Sequence, residues 1–178
     1  MRIISGIYKS RKIVAPKKLP VRPTTDMAKE SLFNILNNTF YFDDITVLDL
    51  FAGTGNISYE FASRGTEQIT CVDEDFGCIK FINETAKAFK MPIQTIKSDV
   101  FKYLEKSTFK ANVIFADPPY SIEQSDFEAI VNKIFERKLL IPDGLLIIEH
   151  SKHTDLSKNK YFTEARRYGG SIFSFFDL

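Results

Sequence analysis

Residues 45–55 read ITVLDLFAGTG, and the fold turns on how that stretch is read. ITVLDL is too short and too β-branched for a buried helix, so it reads as a strand covered on both faces. It carries an acid, Asp49, near its end, and Gly53 and Gly55 follow at once. Glycines there let backbone approach a ligand closely where the next helix begins, and the first N–H groups of that helix are unpaired and electropositive. Moving outward, QITCVD (68–73), PIQTIK (92–97), ANVIFA (111–116) and LLIIEH (145–150) repeat the strand pattern. Helix-like segments near 55–64, 75–90, 100–106 and 123–138 separate them. Such alternation predicts right-handed βαβ crossovers and a mostly parallel sheet covered on both faces. KYFTEARRY (160–168) and SIFSFF (171–176), joined by Gly169-Gly170, predict an antiparallel hairpin at the sheet edge.

The 178 residues, 44% hydrophobic and 26% charged, fit one soluble α/β domain with an N-terminal appendage. No apolar run approaches the roughly 20 residues needed to span a bilayer, and no secretory block opens the chain, so a cytoplasmic protein is expected. Cys71 and Cys78 are too few for a disulfide scaffold, and with His150 and His153 they match no metal-ligand spacing, so no metal is expected. Residues 1–22 hold Arg2, Lys9, Arg11, Lys12, Lys17, Lys18 and Arg22 and no acid, whereas the remainder has 17 basic and 23 acidic side chains. A basic arm on an acidic body is the charge pattern of a polyanion-binding extension or of a solvated terminus. Within it RIISG (2–6) and RKIV (11–14) predict a small hairpin. TTDMAKESLFNIL (24–36) predicts a helix capped by Thr25 or Asp26, with Leu32, Ile35 and Leu36 on its apolar face.

In parallel sheets ligands bind beyond the carboxyl ends of the strands. Asp49, Asp73, Asp99 and Asp117 each stand at such an end. A dinucleotide site would need a third small residue in G-x-G-x-x-G/A to receive a pyrophosphate; this chain has Ser58 there and an acid before the first glycine. An acid suits an ammonium better, and S-adenosylmethionine carries an α-amino group, a sulfonium and no phosphate. Asp73, twenty residues after Gly53, can accept from both ribose hydroxyls of either cofactor. Asp99 can accept from an adenine amine with Val100 packed on the ring, or simply cap a helix. The fourth strand runs into Asp117-Pro118-Pro119-Tyr120. Two prolines make a rigid corner that no central strand could continue through. Asp117 and the Pro118 carbonyl can grip the N–H groups of an exocyclic base amine, localise its lone pair and aim it at a methyl donor, while Tyr120 stacks the base. A carboxylate favours guanine, whose N1–H and 2-amino group are neighbouring donors, over adenine or cytosine.

With these residues assembled, the chain resembles Class I S-adenosylmethionine-dependent methyltransferases bearing a D/N-P-P-Y/F signature. More narrowly it is similar to the RsmD family of 16S ribosomal RNA guanine-N2 methyltransferases, through MRIISG, KSRKI, RPTTDMAKESLFNIL, LDLFAGTGNISYEFASRG, VDED, ANVIFADPPY and RYGG. The resemblance implies a Rossmann-like, mostly parallel seven-stranded sheet with a C-terminal antiparallel hairpin and a small N-terminal β-hairpin. It divides the chain into residues 1–22, for RNA contact, and 23–178, for methyl transfer. It implies Asp49, Gly53, Gly55, Asp73, Asp99 and Val100 as contacts of S-adenosylmethionine, Asp117 through Tyr120 as the residues orienting guanine, and Arg2, Lys9, Arg11, Lys12 and Arg22 as RNA contacts. The implied partner is ribosomal RNA, free or within a small-subunit assembly particle. Departures are Ser10, where the family often has glycine, and Asn56-Ile57-Ser58-Tyr59 in place of a Gly-containing helix start. The alternatives are amino transfer to adenine N6 or cytosine N4, a dinucleotide-dependent oxidoreductase, and a non-catalytic RNA-binding module.

Overall fold

A computed structural model describes residues 1–20 and 24–178; Arg22 and the expected boundary between residues 22 and 23 lie outside them. Helix α1, Asp26–Leu36, starts where the Thr25 hydroxyl accepts the Ala28 N–H at 3.2 Å. It buries Ala28, Lys29, Leu32, Phe33 and Leu36, with Ile35 only partly covered. Then β1 (Thr46–Leu50), α2 (Asn56–Ser63), β2 (Gln68–Asp73), α3 (Phe76–Phe89), β3 (Ile93–Lys97), α4 (Val100–Lys106), β4 (Ala111–Ala116) and α5 (Gln124–Glu136) alternate. β5 (Leu140–His150), β6 (Phe162–Tyr168) and β7 (Ser171–Phe176) complete a seven-stranded sheet of order β3-β2-β1-β4-β5-β7-β6. β1 to β5 are parallel, and β7 enters antiparallel between β5 and β6.

Alternate residues of each strand face opposite layers. Val47, Cys71, Phe115, Ile147 and Phe173 pack against α1, α2 and α3, while Leu48, Leu50, Ile114, Leu146 and Ile148 pack against α4 and α5. β5 begins five residues earlier than LLIIEH suggests, because Leu140 pairs with Ala111 across an irregularity at Pro142-Asp143-Gly144. Asp143 has φ 61°, and a side chain on Gly144 would meet the Asn112 and Ile141 carbonyl oxygens at 2.9 Å. Pro, Asp and Gly favour a turn there, and only pairing with β4 reveals the strand on their far side.

The N-terminal residues form a loose antiparallel pair, bridged at Arg2 and Lys12, rather than two full strands. Ile3 and Ile13 are buried in the core. Ser10 adopts φ 68°, the left-handed conformation that glycine takes without strain. The segment is seated on α2 by the buried Glu60, whose carboxylate accepts the N–H groups of Ile4 and Ser5 at 2.9 Å. Lys29, also buried, lies 3.5 Å from Glu60 and donates to the Arg2 carbonyl and to Asn56 Oδ1; Arg64 pairs with Glu60 at 3.1 Å. Burial lowers the Lys29 pKa and the Glu60 carboxylate opposes the shift.

Candidate functional site

The order β3-β2-β1-β4 brings the predicted strand-end acids to one place. Asp49, Asp73, Asp99 and Asp117 all line a single cavity of about 660 Å³, with Gly53, Val100, Pro118, Pro119 and Tyr120. Its volume falls in the range of small-molecule sites. Among the described residues its lining includes no Lys, Arg or His.

Each acid is held differently. Asp49 is buried and accepts the Ser58 hydroxyl at 2.6 Å. Burial pushes its pKa up to about 7, the Ser58 hydrogen bond pulls the other way, and nearby Asp73 adds to the rise. Ser58, the residue at odds with a dinucleotide fingerprint, thus serves to orient Asp49. Asp73 accepts the Gly53 N–H at 2.8 Å through one oxygen and the Asp75 N–H at 2.8 Å through the other. Burial raises its pKa and those two hydrogen bonds oppose the rise. Each oxygen keeps a lone pair for a further donor. Asp99 caps α4 by accepting the Lys102 N–H at 2.9 Å, and Val100 beside it is buried. The cap is present, and the same carboxylate lines the cavity.

The turn between β1 and α2 is shaped by its backbone. Phe51 has φ 57°, a conformation that costs a bulky residue about 1–3 kcal/mol. Its ring meets Phe101 edge-on at 6.4 Å, and both line the cavity. Gly55 is not among the lining residues. It caps α2 at φ 79°, and a Cβ there would lie 2.9 Å from Tyr59 Cζ and 3.0 Å from Ile82 Cγ1. Of the pair, Gly53 borders the cavity, while Gly55 packs closely against Tyr59 and Ile82.

At β4 the Asp117 N–H reaches the Leu50 carbonyl at 3.4 Å, so the DPPY corner starts directly beside the β1 turn. Pro118 is buried and Tyr120 is exposed at the rim. Sequence reasoning missed the opposite wall: Thr24, Thr25, Glu149, Gly170 and Ser171 also line the cavity. An acid ending the apolar run LLII was the available signal for Glu149. Lys29 was legible too, three and four residues before Leu32 and Phe33 on the same helical face.

The remaining candidates lie apart. Arg2 pairs with Asp26 at 3.2 Å, Arg11 stands over the Phe89 ring at 5.4 Å, and Lys9 and Lys12 are exposed. A second cleft is lined by Ser151, Lys152, His153 and Arg167 and shares Tyr120 and Gly170 with the main cavity. Cys71 and Cys78 are buried free thiols, and burial raises both, Cys78 to about 12. Among the described residues no group of three or more His, Cys, Asp or Glu is placed to hold a metal ion, and no helix is long and apolar enough to cross a membrane.

A sheet of this order, with the cavity over the carboxyl ends of β1, β2 and β4, defines the Class I S-adenosylmethionine-dependent methyltransferases. The chain belongs to the family described as Conserved hypothetical protein 95, the RsmD family, whose profile matches residues 1–177. It is 35% identical to the YlbH protein of Bacillus subtilis over 161 residues, 88% of this chain and 85% of that one. It is 27% identical to Ribosomal RNA small subunit methyltransferase D of Haemophilus influenzae over 98% of this chain and 91% of that one. In fold it is similar to a hypothetical protein of Thermus thermophilus, TTHA0928, with a TM-score of 0.86, 23% identity and coverage of 100% and 99%. It is likewise similar to the T. thermophilus 16S rRNA N2 G1207 methyltransferase RsmC, solved with AdoMet and guanosine, with a TM-score of 0.71, 20% identity and coverage of 89% and 45%.

Proposed function

We propose that the protein transfers a methyl group from S-adenosylmethionine to the exocyclic N2 amine of a guanine in small-subunit ribosomal RNA. The observation that carries this reading is that Asp117 shares one cavity with Asp49, Gly53, Asp73 and Asp99. The residues fit the cofactor. Asp49 would meet its ammonium, Asp73 its ribose hydroxyls, and Asp99 with Val100 its adenine. When bound, S-adenosylmethionine supplies a sulfonium methyl whose carbon–sulfur bond breaks, its electron pair staying on sulfur, as the amine nitrogen bonds to the methyl carbon.

The chain's own residues make that displacement possible by holding the amine. An exocyclic amine is a poor nucleophile because its lone pair is delocalised into the ring. Asp117 and the Pro118 carbonyl accept its N–H groups, pyramidalise the nitrogen and fix its direction, and Tyr120 at the rim stacks the base. The gain is positional and electrostatic. The proton leaves the nitrogen after transfer, toward Asp117 or water. A guanine within paired structure must first be turned outward, since the cavity receives one base at a time. Relatives named for the ribosomal small subunit support RNA as the substrate, as do the basic N-terminal segment and the Lys152, His153 and Arg167 cleft at the rim. Lys152 and Arg167, with the N-terminal lysines, would face the phosphate backbone.

The test is transfer of tritiated methyl to small subunits and to free 16S RNA from cells lacking the protein, followed by mapping of the labelled nucleotide. Label on one guanine N2, lost in Asp117→Ala with cofactor affinity nearly unchanged by calorimetry, is the expected result. Label on adenine or cytosine, or full turnover by Asp117→Ala, would overturn it.

A further inference from the structure

Thr24 and Ser171, distant in sequence, meet at one buried carboxylate. Glu149 Oε2 accepts the Thr24 hydroxyl at 2.7 Å, and Glu149 Oε1 accepts the Ser171 hydroxyl at 2.6 Å. Glu149 is only 5% exposed, yet all three residues line the cavity. Its position follows from the sheet. Ala116 of β4 stands opposite Ile148 of β5 in the parallel register, so Asp117 and Glu149 are the next residues on neighbouring strands and rise from the same face.

The hydrogen bonds fix what this wall offers. A carboxylate only accepts, so the single protons of Thr24 and Ser171 are committed to Glu149, and the hydroxyls can present only lone pairs elsewhere. Asn56, also in the lining, turns its amide nitrogen to the Thr24 carbonyl at 3.0 Å and its Oδ1 to Lys29. Glu149 and the two hydroxyls turned toward it therefore meet the cavity as acceptors. Guanine alone among the common bases presents two adjacent donors, N1–H and the 2-amino group, on its Watson–Crick edge. Adenine and cytosine set a ring-nitrogen lone pair beside the amine, which would oppose a carboxylate.

We propose that Glu149, with the Thr24 and Ser171 hydroxyls turned toward it, selects guanine by accepting its N1–H while Asp117 holds the reacting 2-amino group. This rests on the guanine-N2 reading and divides its recognition between two carboxylates. Thr24 comes from the segment before α1 and Ser171 opens β7, so the base-reading wall forms only once both segments have docked on β5.

The discriminating probe is 2-aminopurine, which keeps the 2-amino group but carries an unprotonated N1. RNA is ligated with guanine or 2-aminopurine at the mapped position, and kcat/KM is compared for wild type and Glu149→Gln. Comparing the ratio between enzymes cancels the intrinsic difference between the two amines. Wild type should prefer guanine by on the order of 10- to 100-fold, the worth of one well-made base contact. Glu149→Gln should lower that ratio about tenfold, because a glutamine amide can donate to the unprotonated nitrogen, with S-adenosylmethionine affinity unchanged by calorimetry. Glu149→Gln that melts cooperatively and keeps the wild-type ratio would reduce Glu149 to a structural tie and overturn the proposal. Equal turnover of both bases by wild type would do so without any variant. Failure of wild type to methylate guanine at all would instead sink the proposed function, and this inference with it.

Discussion

Asp49 is where the demands of folding and of binding conflict most plainly. Its buried carboxyl titrates at about 7 because burial outweighs the Ser58 hydrogen bond. The folded pKa stands above the unfolded value, so between roughly pH 4 and 7 the folded protein holds a proton the unfolded chain releases. The stabilising contribution of that proton is present below the unfolded pKa and is lost as pH rises through 7. Asp49→Asn should therefore melt higher than wild type above pH 7. An ammonium beside the carboxylate favours its ionised form, so S-adenosylmethionine should bind with release of this proton. Affinity should fall below pH 7 by up to about tenfold per unit, and fall again above about 8 as the cofactor's α-amino group loses its charge. Titration calorimetry at pH 6 in buffers of different ionisation heat reads the proton directly. Asp49→Asn should remove the acidic limb and weaken binding; an unchanged pH profile in that variant would take Asp49 out of the site. The strand-end acids were legible because parallel topology fixes which end of each strand meets ligand. Thr24, Glu149 and Ser171 were not, because their significance is a meeting of three distant segments that no local pattern encodes.

At the level of elements, periodicity located every helix and strand of the alternating region, since a fully buried sheet permits little besides short apolar runs. It could not show that β7 lies between β5 and β6, a consequence of hairpin closure onto the β5 edge. The N-terminal segment was harder still. Its charge suggested a loose arm, but Ile3 and Ile13 are core residues and Glu60 satisfies the backbone of Ile4 and Ser5 from within α2. Nothing in the helical pattern around Glu60 announces this, because the groups it serves are unpaired N–H groups more than fifty residues away. Glu60→Ala would strand Lys29 as an uncompensated buried charge and orphan two N–H groups. We expect a loss of about 3–5 kcal/mol, the usual cost of removing one partner from a buried ion pair. Chemical denaturation measures the loss, and hydrogen exchange at Ile4 and Ser5 should accelerate with it. A change below about 1 kcal/mol would mean that the segment is held by its apolar residues alone.

Across the whole molecule, the acidic body and the cationic surfaces divide the approach of RNA into two routes to one cavity. The cavity is lined by acids, so a polyanion is repelled from it, and in the proposed reaction RNA must be held outside while a single base enters. Two places could hold it. One is the N-terminal segment, where Arg2 and Arg11 are already engaged with Asp26 and Phe89, while Lys9, Lys12, Lys17 and Lys18 are exposed. The other is the cleft of Lys152, His153 and Arg167, which touches the cavity through Tyr120 and Gly170. Phosphate contacts reveal themselves through salt, because each contact formed releases condensed counterion and contributes about 0.7–0.9 to the slope of log affinity against log salt. Lys9→Glu with Lys12→Glu, and separately Lys152→Glu with Arg167→Glu, should each flatten that slope by about 1.4–1.8 and raise KM for RNA, leaving melting temperature and S-adenosylmethionine affinity as in wild type. Because the second pair lies at the cavity mouth, its reversal should also lower kcat, by misplacing the base relative to Asp117, whereas reversal at the N-terminal pair should act on KM alone. Unaltered salt slopes in both double variants would show that neither surface meets the RNA backbone.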